Sequence, residues 1–234
     1  MNSLVLYCIG AASAALPGEV RGGQGGGLLR IAQGELSAVV SPRVESAQGE
    51  APTAAELLAY ERVIRSQHAV TDVVPMRFGS VLSDEAAVRA HLDAQRATYL
   101  RVLARVSGCV ELGVRVLVPP SAPPSTREEA VKPVSRSGAA YLKALQQRHS
   151  AENQLRTRCA ALEQELLSRV APLCREHRVE LSPLRPGEPA LCSLYFLVPR
   201  GQVPVFRAAM SSFAGGGAAE VSLNGPWPPF NFVD

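Results

Sequence analysis

The segment Pro119-Pro-Ser-Ala-Pro-Pro-Ser125 changes the composition of the chain abruptly between two halves. Prolines favour the extended polyproline II conformation, which spaces domains without packing against them. We therefore predict an N-terminal domain over residues 1–118, a Pro-rich linker over 119–136 and a C-terminal domain over 137–234. The 234 residues are enough for two small domains that each bury a core.

Before the linker, strand and helix patterns alternate. The apolar run Leu4 to Ile9 predicts a buried strand, and Thr53, three residues before Glu56, predicts a helix start with a capping box. Pro75 favours an edge strand or an irregularity, because proline donates no ladder hydrogen bond. The predicted strands are 4–9, 36–40, 70–78 and 109–118, residues 28–31 and 35–41 look extended, and the predicted helices are 53–67 and 83–106. This order predicts a compact α+β sandwich with helices on one face of a mainly antiparallel sheet.

After the linker, the sequence predicts a long helix followed by a second small sandwich. Glycine and proline are absent between Gly138 and Pro172, so residues 137–177 favour a helix of about 60 Å at 1.5 Å per residue. Its polar middle, 146–154, either stands in solvent or breaks the helix into two. Apolar residues at steps of three and four form a seam: Leu155, Cys159, Leu162, Leu166, Val170 and Leu173. The predicted strands are 179–184, 191–198 and 220–223, with a short helix over 203–213.

Composition and spacing exclude several functional classes. The net charge of +3 leaves no block of one sign, which excludes a nucleic-acid partner held by bulk charge. The five cysteines contain no CxxC pair, so reduced thiols in a cytosol are expected. The four histidines lack a second ligand at metal-binding spacing, and nucleophile elbows and phosphate loops are absent, so we predict no catalytic residues, no metal and no cofactor. No apolar run approaches the roughly 20 residues that span a lipid membrane.

The segment Pro75-Met-Arg-Phe-Gly79 carries the candidate partner-binding residues. It places the cation of Arg77 beside the aromatic ring of Phe78, followed by a glycine at a strand end. Glu111 stands on another predicted strand, so Arg77 and Glu111 are expected either to form an ordinary cross-strand ion pair or to contact a partner. An exposed pair would contribute at most about 1 kcal/mol.

The C-terminal segment Gly225-Pro-Trp-Pro-Pro-Phe-Asn-Phe-Val233 concentrates the single tryptophan, two phenylalanines and three prolines. Prolines extend this tail in advance, and buried rings stabilise it strongly. We therefore expect Trp227, Phe230 and Phe232 to dock the tail within the molecule. The alternative is that the tail is displaced and binds a partner.

Several of these motifs occur together in one known family. In chain order they are Val74-Pro-Met-Arg-Phe-Gly-Ser-Val81, the segment 108–116, Gly138-Ala-Ala-Tyr-Leu142, Leu194-Tyr-Phe-Leu-Val-Pro199 and Gly225-Pro-Trp-Pro-Pro-Phe230. This order resembles the gas vesicle GvpF/GvpL family almost from end to end. The resemblance implies two domains joined around a helical region, the first α+β and the second ferredoxin-like.

The resemblance also implies a function without catalysis. A family member is expected to be an accessory or minor structural protein of gas vesicles. It would bind the small hydrophobic shell protein and other accessory proteins, and it would limit aggregation of the shell protein during vesicle nucleation. The expected location is the gas vesicle, with a cytoplasmic pool and no lipid membrane contact. Two alternatives stay open: an enzyme on a ferredoxin-like scaffold, or a purely architectural wall component.

Overall fold

The computed structural model describes residues 3–18, 20–22, 25–43, 51–119, 138–182, 189–211, 213 and 220–233. The chain forms two compact units, one of Met1–Glu111 with Pro226–Asp234 and the other of Leu112–Gly225. The tail thus belongs to the first unit, whereas the sequence analysis assigned it to the C-terminal domain. The predicted domain bounds stay a prediction, since nearly all of the predicted linker lies outside the described residues.

Strands and helices follow the predicted α+β class, which the structure confirms. In chain order they are β1 (Leu4–Ala11), β2 (Leu29–Gln33), β3 (Leu36–Pro42), α1 (Ala54–Val70), β4 (Val73–Pro75), β5 (Val81–Leu82), α2 (Glu85–Ala94), α3 (Arg96–Val106), β6 (Cys109–Val118), α4 (Gly138–Val170), β7 (Glu176–Leu181), β8 (Ala190–Pro199), α5 (Val203–Ser211) and β9 (Glu220–Trp227).

The sheet of the first unit is built around β1. Its order is β2-β3-β1-β4, and β5 also pairs with β1. β1 runs antiparallel to β3, β4 and β5, and its register with β3 shifts between Leu6 and Cys8. β1 is almost entirely buried because it lies in the interior of the sheet and beneath α1. Pro75 closes the short edge strand β4, as expected for a residue that donates no ladder bond.

Helix α1 begins with the predicted capping box. The Thr53 Oγ1 accepts a hydrogen bond from the Glu56 N–H at 3.2 Å, and the Glu56 carboxylate accepts one from the Thr53 N–H at 2.8 Å. The helix buries Tyr60, Val63 and Ile64 against the sheet. Their partners form the core under α1: Tyr7, Cys8, Val39 and Val73.

Two elements of the first half differ from the sequence prediction. The predicted strand 70–78 is reduced to β4, since α1 continues to Val70 and the chain leaves the ladder after Pro75. The predicted helix 83–106 is two helices, because the backbone leaves helical geometry at Gln95. The break lets α2 pack against β2 and β3 while α3 packs against β4, which lies at the opposite edge.

The second unit is a βαββαβ arrangement, which is the ferredoxin-like order. Its sheet runs β7-β8-β6-β9, so β6 belongs to this sheet and does not close the first domain as its sequence position suggested. The predicted seam of α4 faces the core of this unit, where Leu166 and Val170 are fully buried. On α5, the Phe206 ring packs at 5.2 Å from that of Phe196 on β8.

The capping box of α1 generates a stability prediction. Thr53→Ala removes the acceptor for the Glu56 N–H, so we expect it to lower the free energy of unfolding by about 1 kcal/mol in chemical denaturation. Thr157→Ala is the control, since the Thr157 hydroxyl lies within α4 and, among the residues that the structure describes, bonds back to the Asn153 carbonyl of its own helix. Equal effects of the two substitutions would contradict the capping role.

Candidate functional site

A bulge in the first sheet carries the segment that the sequence analysis singled out. The Met76 N–H donates to the Tyr7 carbonyl at 2.9 Å, and the Leu6 N–H donates to the Ser80 carbonyl at 2.8 Å. Leu6 and Tyr7 are adjacent in β1. Their partners, Ser80 and Met76, lie four positions apart in the sequence. Residues 77–79 loop out between β4 and β5, and we call them the RFG turn.

The RFG turn is closed by its own hydrogen bonds. The Arg77 carbonyl accepts from the Ser80 N–H at 3.1 Å and from the Ser80 hydroxyl at 2.8 Å. Gly79 has a φ of 86°, in the left-handed region that residues with a Cβ rarely adopt. Glycine is therefore favoured at position 79 for its backbone conformation, which allows the chain to return to the hydrogen-bond ladder.

The Tyr60 hydroxyl meets the base of the turn from α1. It lies 2.7 Å from the Leu6 carbonyl oxygen, 2.9 Å from that of Arg77 and 3.1 Å from that of Met76. Burial of the ring, with smaller contributions from Cys8 and Tyr7, raises the pKa of Tyr60 well above its usual range. The hydroxyl consequently keeps its proton, and this one proton is shared among the three carbonyls, of which that of Leu6 is the nearest.

Aromatic rings extend this contact from the core to the surface. The Tyr7 and Tyr60 ring centroids lie 4.9 Å apart, and Phe78 meets Tyr60 edge to face at 5.2 Å. Tyr7 is 1% exposed, Tyr60 6% and Phe78 43%. The row thus ends in a phenylalanine that is fixed on one side and open to solvent on the other.

The first unit exposes further side chains besides Phe78. The Arg77 side chain is exposed, and its guanidinium has no hydrogen-bond or ion-pair partner among the residues that the structure describes. Leu57, one helical turn before Tyr60, is 43% exposed, and Leu58 is 59% exposed. This unit therefore presents apolar side chains together with a cation.

The tail contacts the first unit through polar and aromatic groups. The Glu111 carboxylate accepts hydrogen bonds from the Asn231 N–H at 2.8 Å and from its Nδ2 at 2.7 Å. The Arg65 guanidinium stacks over the Trp227 ring at 4.6 Å from its centroid. Phe232 is fully buried, whereas Phe230 is 36% exposed.

The structure brings together only some of the residues proposed from sequence. Arg77 and Phe78 share the RFG turn, but Arg77 and Glu111 do not lie on neighbouring strands of one sheet, because Arg77 has left the ladder and β6 belongs to the other sheet. Glu111 is 4% exposed and holds Asn231. Sequence reasoning missed Tyr60. The available signal was a tyrosine on the apolar face of α1, since a buried phenol needs a hydrogen-bond partner.

The second unit contains a polar groove of about 790 Å³ along α4. Its lining is Gln146, His149, Ser150, Asn153, Gln154, Thr157 and Arg158. Among the described residues, this groove lacks a carboxylate beside His149, and no group of three or more metal-ligating side chains occurs. None of the helices in the described ranges combines the length and hydropathy required to cross a lipid membrane.

Comparison with known proteins decides the family. The sequence model described as "Gas vesicle synthesis protein GvpL/GvpF" matches residues 3–234. The chain belongs to the GvpL/GvpF family. It is 30% identical to gas vesicle protein F of Streptomyces sp. (strain CB03234), covering 87% of each chain. It is 32% identical to gas vesicle protein L of the same strain, covering 91% of this chain and 84% of the relative.

Solved structures of the GvpL/GvpF family share the fold. GvpF from Anabaena sp. PCC7120 matches with a TM-score of 0.77 at 17% identity, covering all of this chain and 97% of that one. GvpF from Microcystis aeruginosa matches with the same TM-score at 16% identity, covering both chains completely. Family membership ties the chain to gas vesicles, and the names of these relatives are not names of enzymes.

The left-handed Gly79 of this GvpL/GvpF chain generates a prediction about the turn. Gly79→Ala forces a Cβ into φ 86°, so we expect a loss of about 1 kcal/mol of unfolding free energy in chemical denaturation. Gly27→Ala is the matched control, because a Cβ there meets nothing and no positive φ is required. A neutral Gly79→Ala would show that the turn does not depend on this backbone conformation.

The two tail phenylalanines generate a second prediction for this chain. Phe232→Ala empties a fully buried site and should lower the free energy of unfolding by about 3 kcal/mol, measured by denaturant titration. Phe230→Ala removes the same side chain from a position 36% exposed and should cost less than about 1.5 kcal/mol. If Phe232→Ala were as mild as Phe230→Ala, the tail would not be docked as described.

Proposed function

We propose that this chain is an accessory protein of gas vesicle assembly that binds the small hydrophobic shell protein and limits its aggregation during nucleation. Family membership supports the gas vesicle context. The physical reason for the activity is that a subunit with a large exposed apolar face associates with other copies unless another surface covers that face. Other gas vesicle accessory proteins are proposed as further partners.

One observation carries the choice of surface. Phe78 presents a 43% exposed ring on a turn that contacts the Tyr60 ring and whose Arg77 carbonyl lies 2.9 Å from the Tyr60 hydroxyl. A rigid aromatic side chain contributes contact area and loses little conformational freedom on binding. The RFG turn therefore supports binding of an apolar segment better than a freely moving loop would.

The exposed side chains of the first unit suit an amphipathic helix of the shell protein. The exposed leucines at the start of α1 supply further apolar contact area in the same unit. Arg77 supplies a cation for the polar side of the incoming helix or for its C-terminal carbonyls. Burial of Glu111 and its two bonds to Asn231 favour a role in holding the tail, so we propose direct contact by Arg77 and Phe78.

The location follows from this activity. Binding of free shell subunits places a pool of the protein in the cytoplasm, and binding during wall growth places some of it on the gas vesicle. No chemical step is required, because covering an apolar face changes an association equilibrium and leaves all covalent bonds intact.

Co-expression with the small shell protein tests the proposal. We expect pull-down of this chain to enrich the shell protein over an unrelated α+β protein, and we expect it to keep more shell protein in the supernatant after centrifugation. Phe78→Ala should reduce both signals about tenfold, as truncation of a central aromatic contact commonly does.

Leu29→Ala is the matched control, because Leu29 is also 43% exposed in the first unit but lies on β2. It should leave recovery of the shell protein unchanged. Equal losses for the two variants would exclude the RFG turn as the specific contact. No recovery with the native chain would contradict the proposed function itself.

A further inference from the structure

The interruption between β4 and β5 leaves one carbonyl of β1 without its ladder partner. In a regular antiparallel pair, two opposite residues exchange both N–H···O bonds. Leu6 donates its N–H to the Ser80 carbonyl, but the Ser80 N–H turns to the Arg77 carbonyl. The Leu6 carbonyl therefore needs a donor from outside the ladder, and the Tyr60 hydroxyl, 2.7 Å away, provides it.

The same hydroxyl reaches the RFG turn itself. It lies 2.9 Å from the Arg77 carbonyl and 3.1 Å from the Met76 carbonyl, so one buried group connects α1, β1 and the first residue of the turn. The Tyr60 ring meanwhile supports the edge of Phe78. One side chain thus contacts both the backbone at the start of the turn and its exposed ring, in addition to the bonds that Ser80 makes within the turn.

We infer that Tyr60 is the positioning residue of the RFG turn, holding Phe78 in the orientation in which it meets an apolar partner. The part of this inference that concerns binding rests on the proposed function. The part that concerns the turn stands on the geometry of the Tyr60 hydroxyl and is testable with the isolated protein. Tyr60 itself is buried, so it acts through Phe78 and not by touching the partner.

Limited proteolysis of the full chain measures the turn directly. Arg77 is exposed, so trypsin can cut the Arg77–Phe78 bond when the turn opens. Tyr60→Phe keeps the ring and removes the one hydroxyl proton that the three carbonyls share. We expect the initial rate of this cut, followed by mass spectrometry under native conditions, to rise about tenfold, since cleavage tracks the population of the open form.

Tyr7→Phe is the matched control. Tyr7 belongs to the same cluster of rings, and its hydroxyl bonds with the Ser41 Oγ at 2.9 Å, so the variant also loses a buried phenol. This hydroxyl bond joins Tyr7 to β3, whereas the Tyr60 hydroxyl faces the carbonyls of the RFG turn. We expect Tyr7→Phe to change the rate of the Arg77–Phe78 cut by less than about twofold.

Binding supplies the second readout. Tyr60→Phe should weaken capture of the purified shell protein about tenfold. Capture by Tyr7→Phe should stay within about twofold of that by the native chain, when the two variants have equal thermal stability. A native rate of cleavage in Tyr60→Phe would overturn the positioning role of Tyr60. A faster cut with unchanged capture would overturn its link to binding.

These experiments distinguish failure of the proposed function from failure of the positioning role of Tyr60. If the native chain captures no shell protein while Tyr60→Phe still accelerates the cut, the proposed function fails and the positioning of the turn stands. Should Tyr60→Phe not fold, Ser80→Ala replaces it, because this change removes the 2.8 Å bond to the Arg77 carbonyl from the solvent side. A rate of cleavage in Ser80→Ala within about twofold of native is expected, whereas a rise of about tenfold would assign the order of the turn to the Ser80 hydroxyl and overturn the role of Tyr60.

Discussion

The hydrogen bond between the Tyr60 hydroxyl and the Leu6 carbonyl supports the surface on which the functional account depends. A strand that breaks its ladder in a buried sheet leaves polar backbone groups that must find other partners. Here α1 supplies one donor for that purpose, and the chain can loop out at residues 77–79 without leaving the Leu6 carbonyl unpaired. The fold thereby converts a defect in a sheet into a rigid, exposed aromatic contact.

Rigidity distinguishes this contact from the other exposed apolar side chains. Val205 is 51% exposed on α5 and Val70 61% exposed at the end of α1, but scattered surface hydrophobics are normal and need no function. Phe78 differs because its ring rests on Tyr60 and its backbone is bonded on both sides of the turn. Under the proposed function, a preformed contact of this kind loses less conformational freedom on binding than a mobile side chain does.

The sequence predicted those features that depend on local pattern. The capping box at Thr53, the apolar seam of α4 and the α+β class follow from spacing along one element. The break at Gln95 was missed because it serves packing against two edges of one sheet. The sequence also did not show the pairing of β6 with the second sheet or the contact of Tyr60 with Leu6. Both depend on residues that are distant in sequence. For the candidate site, the sequence showed the motif at 77–79, but it did not show the contact of Tyr60 that supports the turn.

Hydrogen exchange of the full chain, with and without the small shell protein, tests the central claim most directly. The account predicts slower exchange on binding at residues 77–80 and in the first turns of α1, where the exposed leucines lie. The second unit should exchange at unchanged rates in the same experiment. Protection confined to the second unit, with the RFG turn exchanging as in the free protein, would contradict the account.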